Sequence, residues 1–261
     1  MNEAEKFNVG LFVTCPVDLI RPSIGFSTVK LLEQANCKVG VPVQSCCGQV
    51  AYNNGDPEGT IKLAWQIVED FSPYDYIVIP SGSCGGMIKM HYPELFASDP
   101  RLEQVKTFCT KVYELTTFLT EIAGRNLDTL NCDLSDKTIT YHDSCAGLRE
   151  LNIKQQPRQL LKQLANVNVK EMQNTEECCG FGGTFCVKFP EISNRMVSDK
   201  IANAHDAQAE LLLGGDLSCL LNIAGKAQRQ NSNKKIEVRH VAEVLAGDMH
   251  IPAIGESEST Q

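Results

Sequence analysis

No stretch of the sequence approaches the roughly 18 consecutive apolar residues of a membrane-spanning helix, so no integral membrane segment is expected. Positive charge is scarce: 24 Lys and Arg stand against 32 Asp and Glu, a formal net charge of -8. With no long Lys/Arg run to offset it, that balance argues against a nucleic-acid-binding or anionic-membrane surface. No Walker sequence is present. Gly180-Phe181-Gly182-Gly183 falls short of G-x-G-x-x-G because position 185 is Phe, so no nucleotide-binding turn is expected. Paired C-x₂₋₄-C hairpins, the usual zinc framework, are missing as well. Met1-Asn2-Glu3-Ala4-Glu5-Lys6 has neither the apolar core nor the cleavage signal of a secretory leader, and the chain reads as cytoplasmic. The single tryptophan, Trp65, falls on the apolar face of an expected helix and reads as core.

What the sequence has in quantity is cysteine, 12 residues in 261. In a reducing compartment a disulfide framework is not expected, which leaves metal or redox chemistry. The segment Glu176-Glu177-Cys178-Cys179-Gly180-Phe181-Gly182-Gly183-Thr184-Phe185 joins two adjacent thiols to a glycine-rich turn. Adjacent side chains on an extended backbone point to opposite faces, so both thiols can serve one centre only if the chain curls around it. Glycine permits that curl. Ser45-Cys46-Cys47-Gly48-Gln49 repeats the signature, and each copy has a lone cysteine before it and another after it. Cys15 and Cys145 are 130 residues apart, the two pairs 132, and Cys84 and Cys219 135. Offsets this steady mean an internal duplication, with a first cysteine-rich domain at 1–130, a second at 131–250 and a disordered tail at 251–261.

Apolar runs predict buried strands at 7–13, 38–43 and 75–80, then at 137–141, 167–172 and 209–214. Between them, helical periodicity predicts helices at 22–35, 58–71 and 112–124, from Pro157 onward, and at 191–205, where Ile192, Met196, Ile201 and Ala204 would share one side. Residues 238–245 match 112–119 in position and pattern, and a loop is expected after Gly86. Alternation of this kind predicts an α/β protein of two pseudo-symmetric duplicated domains, each a mostly parallel sheet flanked by helices. Ligands then sit beyond the carboxyl ends of the strands. Each repeated cysteine follows an expected strand. Cys15, Cys46, Cys47 and Cys84 should therefore meet at one sheet edge, and Cys145, Cys178, Cys179 and Cys219 at the other. Helix N-termini beside them would favour an anionic centre. Four thiolates suit either an iron–sulfur cluster or a tetrahedral zinc ion, zinc being the rival most open for the first site.

The segments Leu11-Phe12-Val13-Thr14-Cys15, Pro80-Ser81-Gly82-Ser83-Cys84, Tyr141-His142-Asp143-Ser144-Cys145 and Cys178-Cys179-Gly180-Phe181-Gly182-Gly183-Thr184-Phe185 resemble a known family. The spacing is similar to the cysteine-rich CCG domain of heterodisulfide reductase. More closely, the chain resembles the lactate-utilisation protein A (LldE) family, over roughly 7–247. That resemblance implies two iron–sulfur centres, of the [4Fe–4S] kind where four thiols serve each. It also implies an electron-transfer role in an L-lactate dehydrogenase complex oxidising lactate to pyruvate, beside a ferredoxin-type subunit and an accessory subunit. An oxidoreductase subunit needing partners is the implied activity. The broader CCG pattern ends in C-x-x-C, whereas here the first of those positions is Ser81 in one half and Asp216 in the other. Each half thus offers four thiols rather than five, and an oxygen ligand from Ser81 or Asp216 stays open.

Cys37, Cys109 and Cys132 lack counterparts at these offsets and read as small buried apolar residues. Cys186 is close enough to the second pair to stand beside that site without ligating. With Ser81 and Asp216, His142 is a candidate cofactor-binding residue; His142 and Asp143 either supply a proton near the centre or cap and orient the loop by hydrogen bonds. Two other functions compete with the relay: a CCG-type reductase acting on a disulfide, and a zinc-stabilised scaffold. A relay would dock its partners through weakly charged loops, expected at 180–185 and 81–87.

Overall fold

A computed structural model of the chain describes residues 7–124, 134, 137–164, 167–230 and 235–256. The chain divides into two compact units, Met1–Arg125 and Asn126–Gln261, each with its own sheet. In the first unit β1 (Phe7–Leu11), β2 (Cys37–Gly40), β3 (Tyr76–Ile79) and β4 (Val112–Glu114) lie in the order β2-β1-β3-β4, all parallel. In the second, β5 (Thr138–His142), β6 (Asn168–Val169), β7 (Leu211–Gly214) and β8 (Glu237–His240) lie in the order β6-β5-β7-β8, again all parallel. The registers coincide too. Val9 faces Tyr76 and Leu11 faces Val78, as Ile139 faces Leu211 and Tyr141 faces Leu213. The duplication therefore extends to the pairing of single residues.

Central strands covered on both faces must be apolar throughout. Ile77, Val78 and Ile79 in β3 and Leu211, Leu212 and Leu213 in β7 meet that requirement and are fully buried. Helices supply the cover. Pro57–Phe71 starts where the Asp56 carboxylate accepts a hydrogen bond from Gly59 N–H at 2.8 Å, with Pro57 at its first position. It buries Thr60, Ala64, Ile67, Val68 and Phe71. Full burial of a side chain such as Ile67 or Phe71 stabilises by about 1.5–3 kcal/mol. Trp65 sits half-buried at the rim of this core, with the Arg101 guanidinium 4.6 Å above its ring.

The structure departs from the sequence expectation at several places. Residues 112–114 and 237–240 form β4 and β8, not helix. Each of these strands passes directly into a helix capped by its own last residue. Glu114 accepts from Thr116 and Thr117 N–H, and His240 Nδ1 accepts from Ala242 N–H. Each helix begins at the residue after its strand, with no turn between them to mark the boundary. The segment after β3 is helical through Leu95, including a π-helical turn at Met87–His91. Ser81 and Met87 are buried, which excludes that segment as an exposed docking loop. The first edge strand ends at Gly40, leaving Val41 and Val43 exposed.

Helix Pro190–Asp206 buries Ser193, Val197, Lys200, Ile201 and Ala204, while Ile192 faces solvent. The expected apolar stripe was rotated because the true one contains a serine and a lysine. The stretch from Ile251, expected as a disordered tail, is packed through Ile254. Ile254 N–H donates to Val238 O at 2.9 Å, Arg239 Nη1 donates to Ile251 O, and Ala253 and Ile254 are buried. Residues 257–261 and Cys132 lie outside the described residues.

Candidate metal centres

In the first unit Cys15 opens helix Cys15–Ile20 just past β1, Cys46 and Cys47 lie in the turn after β2, and Cys84 is the third residue of helix Gly82–Gly86 after β3. The Cys47 thiol donates to Cys84 Sγ at 3.3 Å. Cys15 and Cys47 are the neighbours that act most strongly on the Cys46 thiol, which links the four into one run. The second unit repeats the arrangement. Cys145 opens helix Cys145–Leu151, Cys219 is the third residue of helix Leu217–Arg229, Cys145 and Cys179 are the neighbours that act most strongly on the Cys178 thiol, and the Cys179 and Cys219 sulfurs lie within 4.8 Å of each other. In each run two thiols are buried (Cys47 and Cys84; Cys179 and Cys219) and two are half-exposed. All eight are free of disulfides.

The curl that brings adjacent thiols together depends on one glycine per unit. Gly48 has φ 82° and Gly180 has φ 81°. A Cβ on Gly180 would meet the Ser193 carbonyl oxygen at 2.8 Å, and one on Gly48 would meet Thr60 Cγ2 at 3.1 Å. A side chain then anchors the carbonyl of the second cysteine: Tyr92 Oη donates to Cys47 O at 2.9 Å, and Asn222 Nδ2 donates to Cys179 O at 2.8 Å. Gly180→Ala is therefore expected to cost more than the ~1 kcal/mol typical of a left-handed position, because a backbone clash adds to the strain. A urea midpoint unchanged from the wild type would overturn this account of the turn.

The two runs share one electrostatic pattern. Hydrogen bonds from Cys15 and then Cys47 hold Cys46 down at about 2, and those from Cys145 and then Cys179 hold Cys178 at about 2. Cys15 and Cys145 are pushed up, first by their thiol neighbours and then by burial, as are Cys47 and Cys179. The second thiol of each run is thus the one whose ionised form its neighbours favour. Two thiolates in contact repel by about 4 kcal/mol at an effective dielectric near 20, so a fully ionised set needs a multivalent cation among the sulfurs. Four convergent, disulfide-free, partly buried thiols per unit fit a thiolate-held metal or iron–sulfur group.

Ser81 and Asp216, where the broader pattern has cysteine, have a local structural task. Ser81 Oγ accepts from Cys84 N–H at 3.3 Å, and the Asp216 carboxylate accepts from Ser218 N–H at 3.2 Å. Each is the N-cap of the helix that carries the last thiol. Serine and aspartate are good caps. Both are buried beside their thiols, and the Asp216 charge acts on Cys219.

The surroundings of the two runs differ. At the end of β5, His142 is 1% exposed, and neither ring nitrogen has a hydrogen-bond partner among the described residues. Its imidazole, Cys179 Sγ and Cys219 Sγ present ligand atoms within 4.8 Å of one another. Burial, then the Lys200 charge, pushes His142 down to about 3. Leaving such a group unpartnered costs about 1–3 kcal/mol. His142 therefore does not cap the loop. Asp143 does orient it, through a bidentate pair with Arg158 at 2.8 and 2.9 Å. Arg158 also binds Glu171. Lys200, fully buried, donates to Asn174 O at 2.8 Å and Thr175 O at 3.2 Å, just ahead of the thiol pair. Arg158 and Lys200 escaped the sequence reading. For Lys200 the available signal was its place among Ser193, Val197 and Ala204 at helical spacing.

The remaining described cysteines stand apart from the runs. Cys37 is buried in β2, and the Cys109 thiol donates to Ile88 O at 3.2 Å in the core. The Cys186 thiol donates to Gly183 O at 3.5 Å within the glycine turn. A cleft of about 610 Å³ lined by Trp65, Val68, Glu103 and Phe108 contains none of the eight thiols.

Two parallel sheets of one strand order, each ending in four convergent thiols, define a duplicated cysteine-rich α/β protein. The sequence matches the CCG cysteine-rich domain family twice, over residues 9–89 and 139–224. It is 43% identical over 240 residues to lactate utilization protein A of Shouchella clausii (strain KSM-K16), covering 91% of this chain and 98% of that one. It is 42% identical to lactate utilization protein A 2 of Bacillus cereus (strain AH820), covering 91% and 97%. The chain belongs to the lactate utilization protein A family. A crystal structure of a hypothetical protein from Helicobacter pylori shares the fold, with TM-score 0.69 at 11% identity over 98% of this chain and 50% of that one. Among the described residues no helix is long and apolar enough to cross a membrane.

Proposed function

We propose that this chain is an iron–sulfur electron-transfer subunit in the oxidation of L-lactate to pyruvate, working with partner subunits. The observation that carries the proposal is the pair of four-thiol runs, Cys15/Cys46/Cys47/Cys84 and Cys145/Cys178/Cys179/Cys219, each at the carboxyl ends of a parallel sheet. The relatives named for lactate utilization support the substrate. A bound iron–sulfur cluster supplies one-electron transfer, at a potential set by its ligands, nearby hydrogen bonds and solvent exposure. The chain's own residues do the rest. The helix N-termini at Cys84 and Cys219 favour negative charge. Gly48 and Gly180 shape the cradles, and the Ser81 and Asp216 caps hold the last thiol of each in place. The half-exposed Cys15, Cys46, Cys145 and Cys178 leave each site open on one side, as a relay to another protein requires. Leu19, Ile20 and Val43 are exposed apolar residues on the segments that carry Cys15 and Cys46, which supports docking of a protein partner there.

A second reading, a zinc centre in the first unit, is favoured by the 3.3 Å between Cys47 and Cys84. Two thiolates on one tetrahedral ion sit roughly 3.8 Å apart, so a multi-iron group would have to spread these thiols further than a single ion would. Metal and acid-labile sulfide analysis of anaerobically purified protein separates the two. Iron and sulfide in matching amounts, with a broad visible absorption, are expected. Colourless protein holding zinc and no sulfide would end the iron–sulfur reading.

A further inference from the structure

We infer that the second centre takes an imidazole nitrogen from His142 as a ligand in addition to its four thiols, while the first centre has thiol ligands alone. The inference rests on the iron–sulfur reading above and adds a chemical difference between the two sites. Sheet register supplies the comparison. The residue after Leu11 in β1 is Phe12, whose N–H donates to Val78 O at 2.9 Å, and the residue after Tyr141 in β5 is His142, paired with Gly214. Phe12 and His142 thus occupy equivalent positions at the ends of the two central strands. In the first unit the occupant is a fully buried phenyl ring with no donor atom.

In the second unit the occupant has two nitrogens, both buried and both without a hydrogen-bond partner among the described residues. A buried polar group is almost always satisfied, so an orphan of this kind marks a missing bonding partner. His142 has its missing partner on the thiol side, because its ligand atom lies within 4.8 Å of both Cys179 Sγ and Cys219 Sγ. One metal ion bound to an imidazole and a thiolate sets a comparable spacing, roughly 3.5–4.4 Å. The neighbouring polar groups are bonded elsewhere: Asp143 to Arg158, and Lys200 to the carbonyls of Asn174 and Thr175. Imidazole is a neutral donor, so it binds iron without adding negative charge to the cluster. Nitrogen ligation of this kind raises a cluster's potential relative to thiolate.

The test is pulsed EPR of the reduced full-length chain, in wild type and in a Cys46→Ser/Cys47→Ser variant that confines the signal to the second centre. A strong nitrogen hyperfine coupling is expected, and growth on ¹⁵N-histidine should change it as the isotope demands. His142→Phe, which installs the residue found in the first unit, should abolish that coupling. His142→Cys should retain the cluster and lower its potential in a redox titration. Iron and sulfide present with no strong nitrogen coupling in the wild type, or coupling that survives His142→Phe, would overturn the inference and leave the iron–sulfur reading standing. Protein that contains no iron and sulfide would instead remove the reading on which it rests.

Discussion

A Cys179→Ser chain is expected to lose lactate-dependent electron transfer down to the level of its partners alone, while keeping its fold. Cys179 is 1% exposed and sits between Cys178 and Cys219 in the run of thiols, so no other sulfur can take its place. Serine is nearly the same size but is a poor ligand for iron at neutral pH. Its hydroxyl can still sit near Phe181 N–H, where the thiol sulfur now accepts at 3.5 Å. The expected readout is a loss of iron and sulfide from the second site, with an unchanged far-UV circular dichroism spectrum. Cys109→Ser is the matching control, since that thiol is bonded to Ile88 O in the core and touches neither run. Cys109→Ser protein should keep its full iron complement. If Cys179→Ser protein turned over lactate with the partners at the wild-type rate, the relay role would be wrong.

The eight thiols could be read from the sequence because their signals do not depend on packing. Adjacent cysteines before a glycine, repeated at near-constant offsets, point to one centre per unit. The strands that deliver them are short apolar runs, and β1, β3, β5 and β7 fall where those runs predict. The legibility ends where two elements share one pattern. β4 and β8 merge into the helices that follow, and the capping by Glu114 and His240 that separates them is a tertiary detail. It ends again where polar residues are buried. Lys200 and Arg158 carry side chains usually found in water, and only their hydrogen bonds to Asn174 O, Thr175 O, Asp143 and Glu171 explain their burial.

Ser81 and Asp216 show a third limit. Set against a family pattern they look like lost ligands, and only the N–H groups they accept from reveal them as helix caps. His142 shows the reverse. Its position before Cys145 suggested loop capping as readily as chemistry, and only its lack of a partner among the described residues separates the two. In both cases the deciding fact is whether a polar atom is satisfied, which sequence spacing does not encode.

The same contrast between the units yields a large stability effect. Asp143→Val is expected to destabilise the second unit by about 3–5 kcal/mol, the cost of stripping one partner from a buried ion pair. The Asp143 side chain is 1% exposed and that of Arg158 8%, so water cannot take over the lost bidentate contact. Glu171 remains as a partner for Arg158, but its side chain is 48% exposed and its pull is screened. In the first unit the position equivalent to Asp143 is Val13, and the position 130 residues before Arg158 is Thr28, whose hydroxyl donates to Ile24 O within its own helix. The fold therefore does not require an ion pair here, and removing both charges should be far less costly than removing one. Asp143→Val/Arg158→Met is expected to recover more than half of the loss, because methionine fills much of the arginine's volume and the one charge left without its partner, Glu171, has a side chain 48% exposed to water. Urea denaturation of the wild type, each single variant and the double variant gives the coupling directly. A single-variant loss under about 1 kcal/mol, or a double variant no more stable than Asp143→Val alone, would show that the pair does not hold the end of β5 in place.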